Sequence, residues 1–318
     1  MKRCQGMLVL LALGVAVIGA PRSGAQPPEP LPAALLQLTL ALDQEVYVPG
    51  EPVVAYLAIT NSGDRPVAVE SCLDPELAPV HYLVTGPAGK EERFAPLMMA
   101  DAIIPRLELG PGESVYGDAL LHYGAAGWTF AEAGTYQVRA AYRGRRFVSD
   151  PVTLEVSEPS SSLETEHGRL VLGEPEVGRF MIFEEGDHLK EARAVLGELS
   201  ESEESSVHRR YAAYMLGTAL SKSFADFGVG RLRPADRPRA NRYLESVRDE
   251  LPSFYFTAKA YLLLALNHSR LGEEETAGEV VTELGRVIEK RFPERRPWLS
   301  LVRDRVERRY ATRKEASP

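Results

Sequence analysis

Six histidines (His81, His122, His167, His188, His208 and His268) and one cysteine beyond the N-terminal region, Cys72, are the side chains best suited to metal binding or nucleophilic catalysis. Metal ions are held by ligands at close, recurring spacings such as HExxH or paired cysteines, and no such spacing occurs here. A thiol becomes a nucleophile beside a base or in a positive field, yet no histidine stands near Cys72 in sequence. Cys72 is therefore expected to be a small, partly buried packing residue. Asp187-His188 could supply an oriented base, but at a helix start Asp187 is better explained as an N-cap that accepts amide hydrogens. There is no GxSxG nucleophile turn, P-loop or dinucleotide-binding glycine pattern. No catalytic residue, cofactor or metal is expected; His81, His122 and Cys72 are the only hints of an enzyme with a dispersed site. Asn267-His268-Ser269 matches a glycosylation sequon, but it falls late in a helical stretch where the acceptor is seldom reachable.

Charge points instead to recognition. Arg231, Arg233, Arg237, Arg239 and Arg242 gather in a short stretch opposed only by Asp236, and guanidinium groups grouped in this way suit an acidic surface. That surface could belong to a partner or to the protein itself, because residues 26–186 carry 24 acidic and 10 basic side chains while residues 187–318 carry 21 and 24. The acidic half would repel phosphates, so nucleic acid is not an expected partner.

The elements that must position these groups change character near Pro159-Ser160-Ser161-Ser162. Lys2 and Arg3 precede an apolar or small run from Met7 to Ala20, followed by Ser23-Gly24-Ala25. Residues 1–25 therefore read as a secretory signal peptide, and the mature protein as exported to the periplasm or beyond the cell. That run is too short to cross a bilayer, and no later one spans, so no membrane segment is expected after signal removal. With Cys72 as the only remaining thiol, ordinary cores must stabilise the fold without an internal disulfide.

Residues 35–157 show short runs separated by turn residues, including Leu36 to Leu42, Val53 to Thr60, Ser114 to Leu121 and Thr135 to Tyr142, all read as alternating strands. An antiparallel β-sandwich follows. Residues 158–186 are expected to be a connector with one or two short helices. Residues 187–311 carry apolar stripes at helical spacing, as in Leu189-Ala192-Leu196-Leu199 and Tyr211-Tyr214-Met215-Ala219, and predict an α-helical hairpin-repeat domain. Residues 312–318 read as a disordered tail. The chain is thus expected to be multidomain, all-β followed by all-α.

Two family resemblances refine this expectation. Val46-Tyr47-Val48-Pro49-Gly50-Glu51-Pro52-Val53, Leu109-Gly110-Pro111-Gly112-Glu113-Ser114-Val115 and Phe130-Ala131-Glu132-Ala133-Gly134-Thr135-Tyr136-Gln137-Val138 resemble strands of bacterial immunoglobulin-like, macroglobulin-type domains. That resemblance implies an inward-packed Tyr136 whose hydroxyl bonds backbone at the corner. The helical half resembles tetratricopeptide repeats, with Leu264-Ala265 and Leu216-Gly217 at tight helix crossings and Ala277, Val281 and Leu284 on the packed face of a second helix. Tetratricopeptide arrays bind extended peptides along their first helices. The resemblance therefore implies a face presenting Lys259, Leu262, Leu266, Ser269 and Arg270 to a protein or peptide partner. Two recognition folds without a catalytic constellation suggest an exported, non-enzymatic binding or scaffold protein. Inhibition of exported proteases is the alternative, as macroglobulin-like domains occur in that role.

Overall fold

The computed structural model describes residues 36–310 apart from 78, 101–102, 227 and 229. The signal-peptide and tail expectations lie outside the described residues. Among the described residues fifteen strands and eight α-helices follow one another, the main β region first and the helices after it. The strands are β1 (Leu36–Leu42), β2 (Val46–Tyr47), β3 (Val54–Asn61), β4 (Val67–Glu70), β5 (Val80–Thr85), β6 (Glu91–Arg93), β7 (Arg106–Leu109), β8 (Ser114–Leu120), β9 (Tyr123–Gly124), β10 (Gly127–Trp128), β11 (Gly134–Tyr142), β12 (Phe147–Val148), β13 (Val152–Val156), and the late hairpin β14 (Phe224–Asp226) and β15 (Arg231–Arg233). The helices are α1 (Ser162–Gly173), α2 (Pro175–Phe183), α3 (Lys190–Glu201), α4 (Val207–Leu220), α5 (Arg237–Glu245), α6 (Phe254–Arg270), α7 (Glu274–Arg291) and α8 (Leu299–Tyr310), with a 3-10 turn at Pro293–Trp298 before the last.

Among the described residues the two larger sheets run β1-β3-β8 and β2-β13-β11-β5-β6, with β12 also paired to β11, and β4-β7, β9-β10 and β14-β15 form separate two-stranded sheets. Their pairs are antiparallel except for the short parallel pair β2 with β13. Strand β1 alternates as its sequence predicts: Leu36, Leu38, Leu40 and Leu42 are buried while Gln37 and Thr39 face solvent. Tyr136 packs inward and donates from its hydroxyl to the Glu132 carbonyl at 2.9 Å, closing the expected corner.

Strand β3 departs from alternation. Every residue from Val53 to Ile59 is buried, because one face meets the sandwich interior and the other is covered by helices. Val54 and Tyr56 belong to the helical core, and the Tyr56 ring lies 5.9 Å from Phe254 and 5.5 Å from Trp298. The β and α regions therefore share buried apolar surface.

Residues 158–186 hold α1 and α2. Ser161, part of a run that reads as linker, accepts the Glu164 amide and caps α1. Asp187 is not the expected cap: α3 begins at Lys190 without a side-chain cap, and Asp187 pairs with Arg233 and Arg193 instead. The apolar stripes of α3, α4 and α7 are buried. Gly217 sits at the α4–α5 crossing, where an added Cβ would come within 2.8 Å of Leu244. On α7, Ala277 and Leu284 are buried as the repeat resemblance implies, together with Val280 and Ile288, but Val281 is 45% exposed and lies off the packed face.

Candidate functional site

A cleft of about 540 Å³ opens where the sandwich meets the final helix. Its β wall is the segment Ser71–Glu76 together with β8, and its opposite wall is α8 with Tyr255 of α6. Gly117 lets the two parts of the β wall lie flush, since a Cβ there would stand 2.6 Å from the Leu73 Cβ. At the back, the Tyr123 ring rests on α2 at Gly178, where a Cβ would fall 2.1 Å from the ring.

Helix α8 presents Arg305, Arg308 and Arg309 to this cleft, the i, i+3, i+4 spacing that puts three side chains on one helical face. Arg305 Nη1 lies 3.0 Å from Asp118 Oδ2 across the cleft. Asp118 is 5% exposed, and its Oδ2 is left without a hydrogen bond because the approach is an ion-pair contact rather than an aligned bond. Burial pushes the Asp118 carboxyl up, and Arg305 offsets that only in part. Glu76 is also raised, by burial and then by neighbouring Asp74. Cys72 lines the cleft as a free, partly exposed thiol.

Behind Tyr255 lies a fully buried ion pair between Lys259 and Glu184. Glu184 ends α2 in the left-handed conformation, φ 51°, and also faces Arg309 Nη1 at 3.3 Å and the Tyr214 hydroxyl at 3.3 Å. Burial alone would raise the Glu184 carboxyl, but Lys259 and Arg309 outweigh it and hold it low. The Lys259 ammonium is pushed down to about 8 by burial, against the pull of Glu184. It also stands 5.5 Å from the Tyr255 ring centre and 5.8 Å from that of Tyr310, so two aromatic faces help to hold the charge.

Lys259 is therefore not on an open face, contrary to the sequence expectation: helix α6 is central and its surroundings enclose it. Of the other residues expected there, Leu262 is buried and Leu266 is partly buried. Ser269 hydrogen-bonds Glu274, and Arg270 donates to the Tyr310 carbonyl at 2.6 Å. The arginine cluster is divided as well. Arg233 is an internal tie, bonded to Asp187 and to the Ala219 and Lys222 carbonyls. Arg231 is exposed on β15, Arg237 opens α5, and Arg239 reaches Tyr243. Arg233 and Arg239 share a small concavity beside Asp187, and none of these expected residues is among those lining the seam cleft.

Sequence reasoning missed Arg305, Arg308, Arg309, Asp118, Glu76 and Glu184. The spacing of the three arginines was a visible signal, whereas the acids reach them only through the fold. His122 is buried, with both ring nitrogens unbonded and its pKa pressed to about 3 by burial, so it is a neutral packing ring against Trp128. Asn267, the sequon acceptor, is 1% exposed and bonded to Ser221 and Asn241. Among the described residues no group of three or more His, Cys, Asp or Glu side chains could hold a metal ion, and no helix is long and apolar enough to cross a membrane.

No protein-family model matches the chain, and no curated sequence relative was found. Solved structures similar to it include β-glucosidase 3B from Thermotoga neapolitana, with 20% identity over 39% of this chain and 16% of that one and a TM-score of 0.25. Another is the DNA glycosylase AlkC from Pseudomonas fluorescens, with 12% identity, 39% and 30% of the two chains and a TM-score of 0.27. A third is the CARDB domain of a Pyrococcus furiosus protein, with 16% identity, 39% and 87% coverage and a TM-score of 0.22. The chain thus spans about a sixth of the glucosidase, and likenesses of this size fix no activity.

Proposed function

We propose that the protein is an exported, non-enzymatic binding or scaffold protein that takes a protein or peptide partner in the seam cleft. An immunoglobulin-like sandwich and a tetratricopeptide-like helical array, the finer form of the two halves, are both folds used for recognition. The observation that carries the proposal is the construction of the cleft: a concavity of about 540 Å³ with apolar and aromatic lining and three arginines from one helix face. Arg305 and Arg309 are fixed by Asp118 and Glu184, so the charged wall is preorganised and loses little freedom on binding. The neighbouring segment adds apolar reach, since Met98 and Met99 are each more than half exposed just beyond Leu97 at the rim.

Photo-crosslinking in intact cells tests this. With a photoreactive residue at Pro96 or at Leu97 in the cleft a discrete adduct is expected, and with the same residue at exposed Glu279 on α7 none. Equal labelling at all three positions, or none at the cleft, would overturn the proposal.

A further inference from the structure

The two walls of the cleft carry opposite charge. Asp74, Glu76 and Asp118 stand on the β side, while Arg305, Arg308 and Arg309 stand on α8. Part of this charge is paired within the protein, Arg305 with Asp118 and Arg309 with Glu184, while Asp74 accepts only the Glu76 amide through Oδ1. Among the described residues, the carboxylates of Asp74 and Glu76 and the Arg308 guanidinium have no oppositely charged partner within 4.0 Å, though all three line the same cleft, where Arg305 and Arg309 act on Glu76 from farther away.

A ligand with one charge would satisfy one wall and lie against like charge on the other, a conflict that discriminates strongly between partners. A dipolar ligand satisfies both. Between the walls, Leu73, Phe94, Tyr123, Ile182 and Leu301 offer an apolar bed, and the volume lies within the ~300–1,000 Å³ of small-ligand sites.

We infer that the cleft binds a short peptide with both ends free and an apolar side chain, its ammonium toward Glu76 and its carboxylate at Arg308. This inference rests on the reading of the cleft as the recognition site. A guanidinium and a carboxylate form strong charge-assisted bonds, so each terminus should contribute separately.

Calorimetric titration of the mature protein with the tripeptide Ala-Leu-Ala tests the inference, using the free, N-acetylated and C-amidated forms. Blocking either end should weaken binding about tenfold or more, the range of a lost charge-assisted bond. Arg308→Ala should weaken the free peptide by a similar factor while leaving the amidated form unchanged, and Glu76→Gln should do the same with respect to the acetylated form. Both residues are at least partly exposed, so far-UV circular dichroism should confirm that the variants fold. Equal affinity for all three peptides, or no binding of any, overturns the inference, as does tighter binding of leucine than of the tripeptide. Cleft-specific adducts with an intact protein partner in cells, together with no tripeptide binding, would overturn it while leaving the recognition reading standing.

Discussion

Lys259 and Glu184 illustrate at the residue scale how a charged pair survives complete burial. Each is removed from water, a loss that Coulomb attraction alone does not reliably recover. Glu184 therefore also faces Arg309 and the Tyr214 hydroxyl, and Lys259 lies against Tyr255 and Tyr310. Removing one partner strands the other. Lys259→Met should lower unfolding stability by about 3–5 kcal/mol, read from urea denaturation. Adding Glu184→Gln should recover part of that loss, because Arg309 is 31% exposed and can turn to water. If the double variant were no more stable than the single one, packing rather than uncompensated charge would explain the loss. The lysine was read in sequence only as a cation on an open helix face; its burial follows from the position of α6 at the centre, which the run Phe254 to Leu266, apolar all round but for Thr257 and Lys259, signalled.

At the scale of elements, two acids of the sandwich hold the helices. Asp43, just after β1, accepts from Ser253, from the Phe254 and Tyr255 amides at the start of α6, and from the Tyr56 hydroxyl. It thus reinforces the cap of a helix far along the chain. Glu51 accepts from Gln44 Nε2, from the Val48 amide and from the Tyr211 hydroxyl of α4. Burial raises Asp43 to about 6 and Glu51 to about 7, with hydrogen bonds pulling the other way. Each binds a proton in the folded chain at a pH where the unfolded chain has released it, so its contribution is full below pH ~4 and is lost as pH rises to ~7. His122 and His208, both lowered chiefly by burial, act in the opposite sense. The clean test is therefore a comparison: Glu51→Gln should gain stability relative to the native chain between pH 4.5 and 7, at about 1.4 kcal/mol per pH unit and no more than about 3 kcal/mol in all. A constant difference across that range would mean that Glu51 is ionised in the fold. The strand and helix patterns were legible because β1 and α3 each bury one face. Strand β3 was read close to its observed span, but as alternating, although the unbroken run Val53-Val54-Ala55-Tyr56-Leu57 signalled burial on both faces.

For the whole molecule, the seam decides how the chain unfolds. Tyr56 is fully buried between Phe254 and Trp298, and Tyr123 sits on α2 at a glycine that admits no side chain. Arg295, within the 3-10 turn, donates to the Leu42 carbonyl, while His208 of α4 bonds the Pro49 carbonyl at 2.9 Å. Opening the seam would expose Val54 and Tyr56 together with much of α6, and each fully buried large apolar side chain contributes about 1.5–3 kcal/mol. It would also leave Asp43 and the α6 amides without one another. Two bodies joined in this way cannot melt separately without losing most of what holds each. Calorimetry should therefore give one transition, with near-ultraviolet and far-ultraviolet dichroism changing together. Two resolved transitions would mean that the β and α regions are independently stable, and the preorganised cleft between them would lose its physical basis.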